Sequence, residues 1–275
     1  MSTAEYLREI GVVNLSPRTS PFDPGYDLNT LVAHLKQSAH LMASMKISMA
    51  CWQIANEHVT RAKISACKQH GVIPSAGGGP LEVAAYFNKI PEYLDLCQEM
   101  GLERIEAGEG IVATNLNPRE IVSMAADRGL EVQFELGEKH AGAFDQATVD
   151  ELLRDGSDWL RAGAKQLVIE ARESAEGVGL FDKGGRLNER LASRFMDEFG
   201  ADRVVFEAPN KSSQFALLNY FGANVCLGNV RLEELLRVEI YRRGLHSDAF
   251  SVDLLRPSGP IRRETRVIEY AESRN

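Results

Sequence analysis

No run of about 18 consecutive apolar residues occurs anywhere in the 275-residue chain, so no membrane-spanning helix is expected. The start, MSTAEYLREIGVV, carries Glu5 and Glu9 and lacks the basic-then-apolar order of a secretory leader. The four cysteines (Cys51, Cys67, Cys97 and Cys226) are scattered and form no C-x-x-C pair, which gives no support for a zinc or redox motif. They read as reduced core thiols of a cytoplasmic protein. A basic excess is missing too: 31 Lys and Arg against 39 Asp and Glu give a net charge of -8. Neither nucleic acid nor an anionic membrane is then an expected partner, since both select a basic face. A small anion can still bind where positive groups gather locally.

What the chain has is alternation. Short β-branched runs alternate with longer amphipathic segments along almost its whole length. The first strand is expected at GVVNLS (11–16), followed by the Pro-rich SPRTSPFDPGYD and a helix capped by Asp27. Further strands are expected at 44–49, 71–76, 104–108, 131–137, 166–172, 203–208 and 224–229. The helices between them carry readable ends. Pro91 interrupts the segment after the third strand, Asn117 caps a helix with Pro118 in its first turn, and Gly71, Gly101, Gly129, Gly163, Gly200, Gly222 and Gly244 stand as stops.

Eight strand–helix units in one series predict an α/β fold of the closed (β/α)8 TIM-barrel kind, whereas an open doubly wound sheet more often has about five or six units. No G-x-G-x-x-G follows the first strand, which counts against a dinucleotide site. Neither a serine nucleophile elbow nor a Cys–His signature is present. The expected organisation is one barrel domain over 1–250 and a short C-terminal extension over 251–275. The extension either packs across the barrel or reaches into a partner subunit, and a homo-oligomer is expected.

The strand ends carry the chemistry. A barrel's active site lies where its strands end, and here those ends hold Lys46, Glu106, Glu135, Glu170 with Arg172, Glu207 and Asn229. Such charges either pair to fill the mouth or bind something. Several carboxylates buried together are costly without a cation, so Glu106, Glu170 and Glu207 suggest a hard metal such as Mg2+. Lys46, Arg172 and Lys211, with Lys139 and Arg18 as further candidates, suit a ligand carrying carboxylate and phosphate. Lys211 and Ser212 open a helix, whose N-terminus attracts phosphate. The triplet Gly77-Gly78-Gly79 either lets backbone amides approach a ligand or makes a plain turn. Residues 174–186, with four glycines, read either as a lid or as an inert surface hairpin. His140 follows the fifth strand within reach of the site, whereas Arg242 and Arg243 fall late in the eighth helix and are expected at the barrel's bottom.

These same residues carry a resemblance. VIEARESAEGVGLFDKGGRLNE, VVFEAPNKSSQ, NVCLGNV and EIYRRGLHSDAF, with weaker agreement at SAGGGPLE and IEAGEG, resemble the phosphosulfolactate synthase family over about 46–250. Plant heat-stress-associated proteins share the family. The resemblance implies a Mg2+-dependent lyase adding sulfite to phosphoenolpyruvate. It implies Lys139, in Glu135-Leu136-Gly137-Glu138-Lys139, as the general acid beside Lys46 and Glu135. Arg172, Lys211, Gly78, Gly79, Asn229 and Ser212 are then the substrate-binding candidates. The chain departs from the family pattern where a first strand usually ends in Asp-Lys-Gly, read here against Asn14 to Arg18, and at Lys46 to Cys51, with bulky Met49 and Trp52 nearby. Those departures keep two alternatives open: a diverged enzyme using another nucleophile or enol phosphate, and a non-catalytic stress-related barrel.

Overall fold

A computed structural model describes residues 1–47, 49–111 and 114–259. Eight parallel strands close into a barrel in chain order, each bonded to the next and the last to the first. They are β1 (Thr19–Asp23), β2 (Ser44–Ile47), β3 (Ile73–Ala76), β4 (Arg104–Gly108), β5 (Glu131–Leu136), β6 (Gln166–Ile169), β7 (Val204–Glu207) and β8 (Cys226–Arg231). The helices are α1 (Thr3–Glu9), α2 (Leu28–Ser38), α3 (Cys51–Ile54), α4 (Glu57–Gln69), α5 (Gly79–Tyr86), α6 (Ile90–Met100), α7 (Pro118–Ala126), α8 (Gln146–Ala162), α9 (Glu189–Phe199), α10 (Lys211–Phe221) and α11 (Leu235–Arg242). Asp27 and Asn117 cap α2 and α7 as the sequence suggests, and Ser2, Asn56, Asp145, Asn188 and Asn210 cap five further helices, each side chain accepting from a first-turn amide.

The first strand is the main correction. Residues 11–16 form no strand, and Val13 is exposed. The strand lies within the segment read as a Pro-rich loop, and it contains Pro21. Proline is tolerated there because the β1–β8 register shifts between Thr19 and Pro21, where the ladder is already irregular. The strand then ends at Asp23-Pro24-Gly25, so the Asp-Lys-Gly pattern departs only in its middle residue.

Alternation along the strands splits the interior in two. Outward residues such as Ile105, Ala107, Val132, Phe134, Leu136, Leu167, Ile169, Val204 and Phe206 join the helices in one large apolar core. Phe134 stacks on Trp159 of α8 at 4.1 Å, and Phe206 on Phe221 of α10 at 5.2 Å. The inward residues include Arg104 and Glu106 on β4, Glu131, Gln133 and Glu135 on β5, and Gln166 and Val168 on β6. They form a floor, a plug and a charged layer. At the floor Arg104 Nη2 meets Glu131 Oε2 at 2.6 Å and its Nη1 donates to Gln166 Oε1 at 3.5 Å. Above it Val168, Val205 and Cys226 form a small apolar cluster of their own. Above that plug lie the buried Glu106, Glu135, Glu170 and Glu207.

Arg242 lies at the bottom, as expected. It is buried, pairs with Glu239 at 3.1 Å and donates to the Val225 carbonyl at 2.7 Å and to Thr19 Oγ1 at 3.0 Å, tying α11 to the start of β1. Residues 251–259 return to this chain: the Ser258 and Gly259 amides donate to the Gly11 and Ile10 carbonyls at 3.2 and 3.1 Å. The remainder of the expected extension, 260–275, lies outside the described residues.

The segment 174–186 is anchored. Val178, Leu180 and Phe181 are buried, and the Gly179 carbonyl accepts from the Phe144 amide at 2.7 Å. Gly179 has φ +57°, and a Cβ there would stand 2.0 Å from the Glu170 carbonyl oxygen. A side chain would therefore suffer both left-handed strain and a backbone clash. Gly179→Ala is expected to lose about 2 kcal/mol or more and lower the melting temperature by at least about 4 °C. Thermal unfolding checks this, and an unchanged midpoint would remove the loop from the list of structural constraints.

Candidate active site

The polar layer above the apolar plug brings four glutamates and two lysines into the barrel mouth. Glu106, Glu135, Glu170 and Glu207 are each 4% exposed or less. Lys46 Nζ lies 2.9 Å from Glu106 Oε2 and 3.8 Å from Glu207 Oε1. Glu106 also accepts from the Gly78 amide at 3.1 Å and from Gln133 Nε2 at 2.9 Å. On the opposite side Lys139 Nζ bridges Glu135 Oε1 at 2.6 Å and Glu170 Oε2 at 2.7 Å. Glu207 accepts from the Ala171 amide at 3.0 Å and from the Asn229 side-chain amide.

Burial and mutual repulsion set the protonation states. Burial pushes the Glu135 carboxyl well above the usual range, and the Glu106 and Glu170 charges push it further. Glu207 is raised to about 8 by burial and by Glu170, against the pull of Lys46. Glu170 goes the other way, to about 2: the Lys139 charge, with hydrogen bonds from Glu135, Lys139 and Glu207, outweighs burial. Glu106 is likewise held low, because Lys46 and the Gln133 hydrogen bond outweigh burial. Both lysines are held charged by their glutamates although burial opposes it. At neutral pH the mouth is therefore balanced: two ammonium groups, two carboxylates, and two carboxyls that carry protons.

With all four glutamates ionised, the same set would carry two negative charges in excess. A divalent ion fits that excess and the hard oxygen donors. Among the described residues, however, no three ligating side chains gather round one point. Of the expected ligand set Glu106, Glu170 and Glu207, Lys46 stands between Glu106 and Glu207, and Lys139 takes Glu170.

The structure also places the remaining candidates. Gly78 spends its amide on Glu106, while Gly79 opens α5 with the Ile111 side chain above it. Asn229, at φ +51°, breaks the alternation of β8 and turns its side chain to Glu207. Arg172, at φ +55°, is exposed beside the mouth, with its amide on Glu170 Oε1 at 2.5 Å. Lys211 and Ser212 are exposed on the first turn of α10, and Lys211 pairs with Asp248 at 3.5 Å and lies 5.1 Å above the Phe215 ring. Neither joins the hydrogen-bonded mouth network. His140 is exposed. Of the two bulky residues near β2, Trp52 is buried against Tyr93, so only Met49, which is 56% exposed, alters the rim.

Besides Glu239 at the barrel's bottom, two further buried acids escaped the sequence reading. Asp23 ends β1 facing the helices, where Oδ2 pairs with Lys63 of α4 at 2.8 Å and Oδ1 accepts from the Gly25 and Tyr26 amides. The misplaced first strand hid it. Glu82 is buried in α5, and Oε2 accepts from the Ile111 amide at 2.6 Å. Only its place in SAGGGPLE hinted at it. Burial pushes the Cys67 and Cys97 thiols up to about 12, which keeps them unreactive.

A family model described as (2R)-phospho-3-sulfolactate synthase (ComA) matches residues 16–248, which contain the whole barrel and mouth. The chain belongs to this family. The phosphosulfolactate synthase of Methanocaldococcus jannaschii is 32% identical over 233 residues, covering 84% of this chain and 93% of the relative. That of Methanothermobacter thermautotrophicus is 32% identical over 189 residues, 68% of this chain and 73% of the relative. The Bacillus subtilis phosphosulfolactate synthase is 30% identical over 190 residues, 68% and 75% of the two chains. A crystal structure of KGPDC from Streptococcus mutans shares the fold with a TM-score of 0.51 at 12% identity, over 78% of this chain and 87% of that one. Among the described residues of this phosphosulfolactate synthase family member, no helix is long and apolar enough to cross a membrane.

Protonation of Glu207 gives a signed prediction. Its carboxyl titrates near 8 when folded against an ordinary value of 4.5, so the folded state holds the proton more tightly. That contribution to stability is complete below about 4.5 and is lost as pH rises through about 8. Glu207→Gln removes the titration. In chelator, the melting temperature of the variant relative to wild type is expected to rise between pH 5 and 9, over roughly the span set by that shift. A difference that stays constant with pH would mean that Glu207 is ionised throughout.

Proposed function

We propose that the protein is a carbon–sulfur lyase that adds sulfite to C3 of phosphoenolpyruvate, with Mg2+ as cofactor, giving 2-phospho-3-sulfolactate. The observation that carries this reading is Lys139, held charged at the mouth between Glu135 and Glu170 in a barrel of this family. The names of the relatives agree with it.

The sulfite lone pair forms the new bond to C3, and the C2–C3 π pair moves to C2 and the adjacent carboxylate. A proton must then reach C2. Lys139 Nζ is the donor, and the Glu135 carboxyl, 2.6 Å away and itself protonated, resupplies it. Lys46 places a fixed positive charge on the far side of the mouth, where it faces the developing charge. Arg172 and Lys211 bind phosphate or sulfite at the rim, with Ser212 and Asn229 as polar partners. Glu106, Glu170 and Glu207 would hold Mg2+ once the Glu207 proton leaves and the lysines give way, and the ion would supply positive charge to balance the charge developing on the substrate. Gly78 and Gly79 keep that wall low.

The reading places the protein in the cytoplasm, which suits its free thiols. It also makes the protein a homo-oligomer, supported by the exposed Val83 and Tyr86 of α5 and Phe87 just after it. The buried Glu106, Glu135, Glu170 and Glu207 argue against a barrel freed from catalysis, because such groups are costly to bury. Met49, a bulky exposed residue at the rim, favours a diverged nucleophile.

The test is purified protein with phosphoenolpyruvate, sulfite and Mg2+, with product followed by mass and phosphorus NMR. Phosphosulfolactate formation that chelator abolishes is the expected result. Lys139→Ala is expected to keep phosphoenolpyruvate binding within about threefold while cutting turnover by about 100-fold or more. Binding without product in wild type would point to another nucleophile, and neither binding nor product would overturn the enzyme reading.

A further inference from the structure

Glu82 lies outside the charged mouth, yet it is 1% exposed. An acidic side chain is rarely buried this deeply without a specific role, although the first turn of a helix favours negative charge. Its Oε2 accepts from the Ile111 amide at 2.6 Å, in the loop that leaves β4. Its Oε1 lies 3.6 Å from where a Cβ on Gly108 would stand. One carboxylate thus holds the Ile111 end of the segment 108–111 and lies beside the space left open at Gly108.

The other side of that segment packs against the catalytic pair. A Cβ at Gly108 would come 3.3 Å from the Glu135 Cβ; one at Gly110 would come 3.2 Å from the Lys139 Cγ and 3.3 Å from Glu135 Oε1. These glycines let the backbone close over the pair without a side chain between. The Gly110 carbonyl accepts the Lys139 amide at 3.1 Å, which fixes the main chain from which that lysine projects. Glu109 turns away and organises the next part of the loop, accepting from the Thr114 and Leu116 amides at 3.0 and 3.1 Å. The segment 108–111 is a roof clamped between α5 and Lys139.

We propose that Glu82 is a positioning residue, holding the roof 108–111 against Lys139 so that its Nζ stays between Glu135 and Glu170. The kinetic part of this inference rests on the sulfite-addition reading above. Reach and charge separate cleanly in two variants. Glu82→Gln keeps the accepting oxygen at the same distance and drops the charge, whereas Glu82→Asp keeps the charge and withdraws the oxygen by one methylene.

Glu82→Asp is expected to cut kcat by about 100-fold with KM for phosphoenolpyruvate within about twofold, the signature of a misplaced proton donor in an intact binding site. Glu82→Gln is expected to stay within about threefold of wild type in both. Hydrogen–deuterium exchange on the full chain supplies a readout independent of the reaction. The Ile111 and Lys139 amides are expected to exchange faster in Glu82→Asp and at the wild-type rate in Glu82→Gln, with the floor of the barrel unchanged in both. Wild-type kcat and exchange in Glu82→Asp would overturn the proposal, and so would equal impairment in the two variants. If wild type turns out not to use sulfite, the sulfite-addition reading fails on its own assay, and the exchange rates alone decide the role of Glu82.

Discussion

Charge balance inside the barrel mouth is the constraint on which the rest of the structure depends. Glu106, Glu135, Glu170 and Glu207 are buried within reach of two ammonium groups, and an isolated ionised carboxylate is too costly at that depth. The structure resolves the imbalance by sorting the four. Glu106 and Glu170 take the lysines and stay ionised, while Glu135 and Glu207 keep protons and donate them towards Glu170. Glu170 thus becomes the anionic hub, with Lys139, two carboxyls and the Arg172 amide converging on it. A site poised this way has a proton donor ready and an excess of two negative charges to offer a cation once the protons leave.

The scaffold serves that arrangement by dividing its interior. The apolar residues go outward to the helices, so stability comes from the strand–helix layer and the inside is free to be polar. The small Val168, Val205 and Cys226 plug separates the mouth from the Arg104–Glu131 floor. The glycines at 78, 108 and 110 and the anchored Gly179 let backbone approach the charged groups where a side chain would push them apart. Lys139 belongs to this same logic: a flexible side chain becomes a fixed donor because its backbone amide and both its acceptors are held.

Much of this is legible in the sequence where the signal is local. Apolar, alternating runs ending in Glu106, Glu135, Glu170 and Glu207 reveal both the strands and the mouth, since period-two alternation fixes which residues face inward. Caps such as Asp27 and Asn117 need only the neighbouring turn, and they are found where expected. What escapes is non-local. Pro21 disguised β1 because its tolerance depends on a register shift against β8, and Asp23 was lost with it. One partner of Glu82 lies 29 residues away, and one of Lys211 lies 37 away. Gly78 reads as a ligand-facing amide until its bond to Glu106 is seen, and the four glycines of 174–186 suggest mobility although Leu180 and Phe181 are buried.

The sorting of the four glutamates can be observed directly. Carbon-13 NMR of protein labelled at the glutamate carboxyls, recorded near pH 6.5 in chelator, reports whether each buried group carries its proton. The account predicts two neutral buried carboxyls, one lost in Glu135→Gln and the other in Glu207→Gln, beside two that stay ionised. Four buried carboxylates that all titrate in the ordinary range, near 4.3, would contradict it, for the mouth would then hold its excess charge without protons.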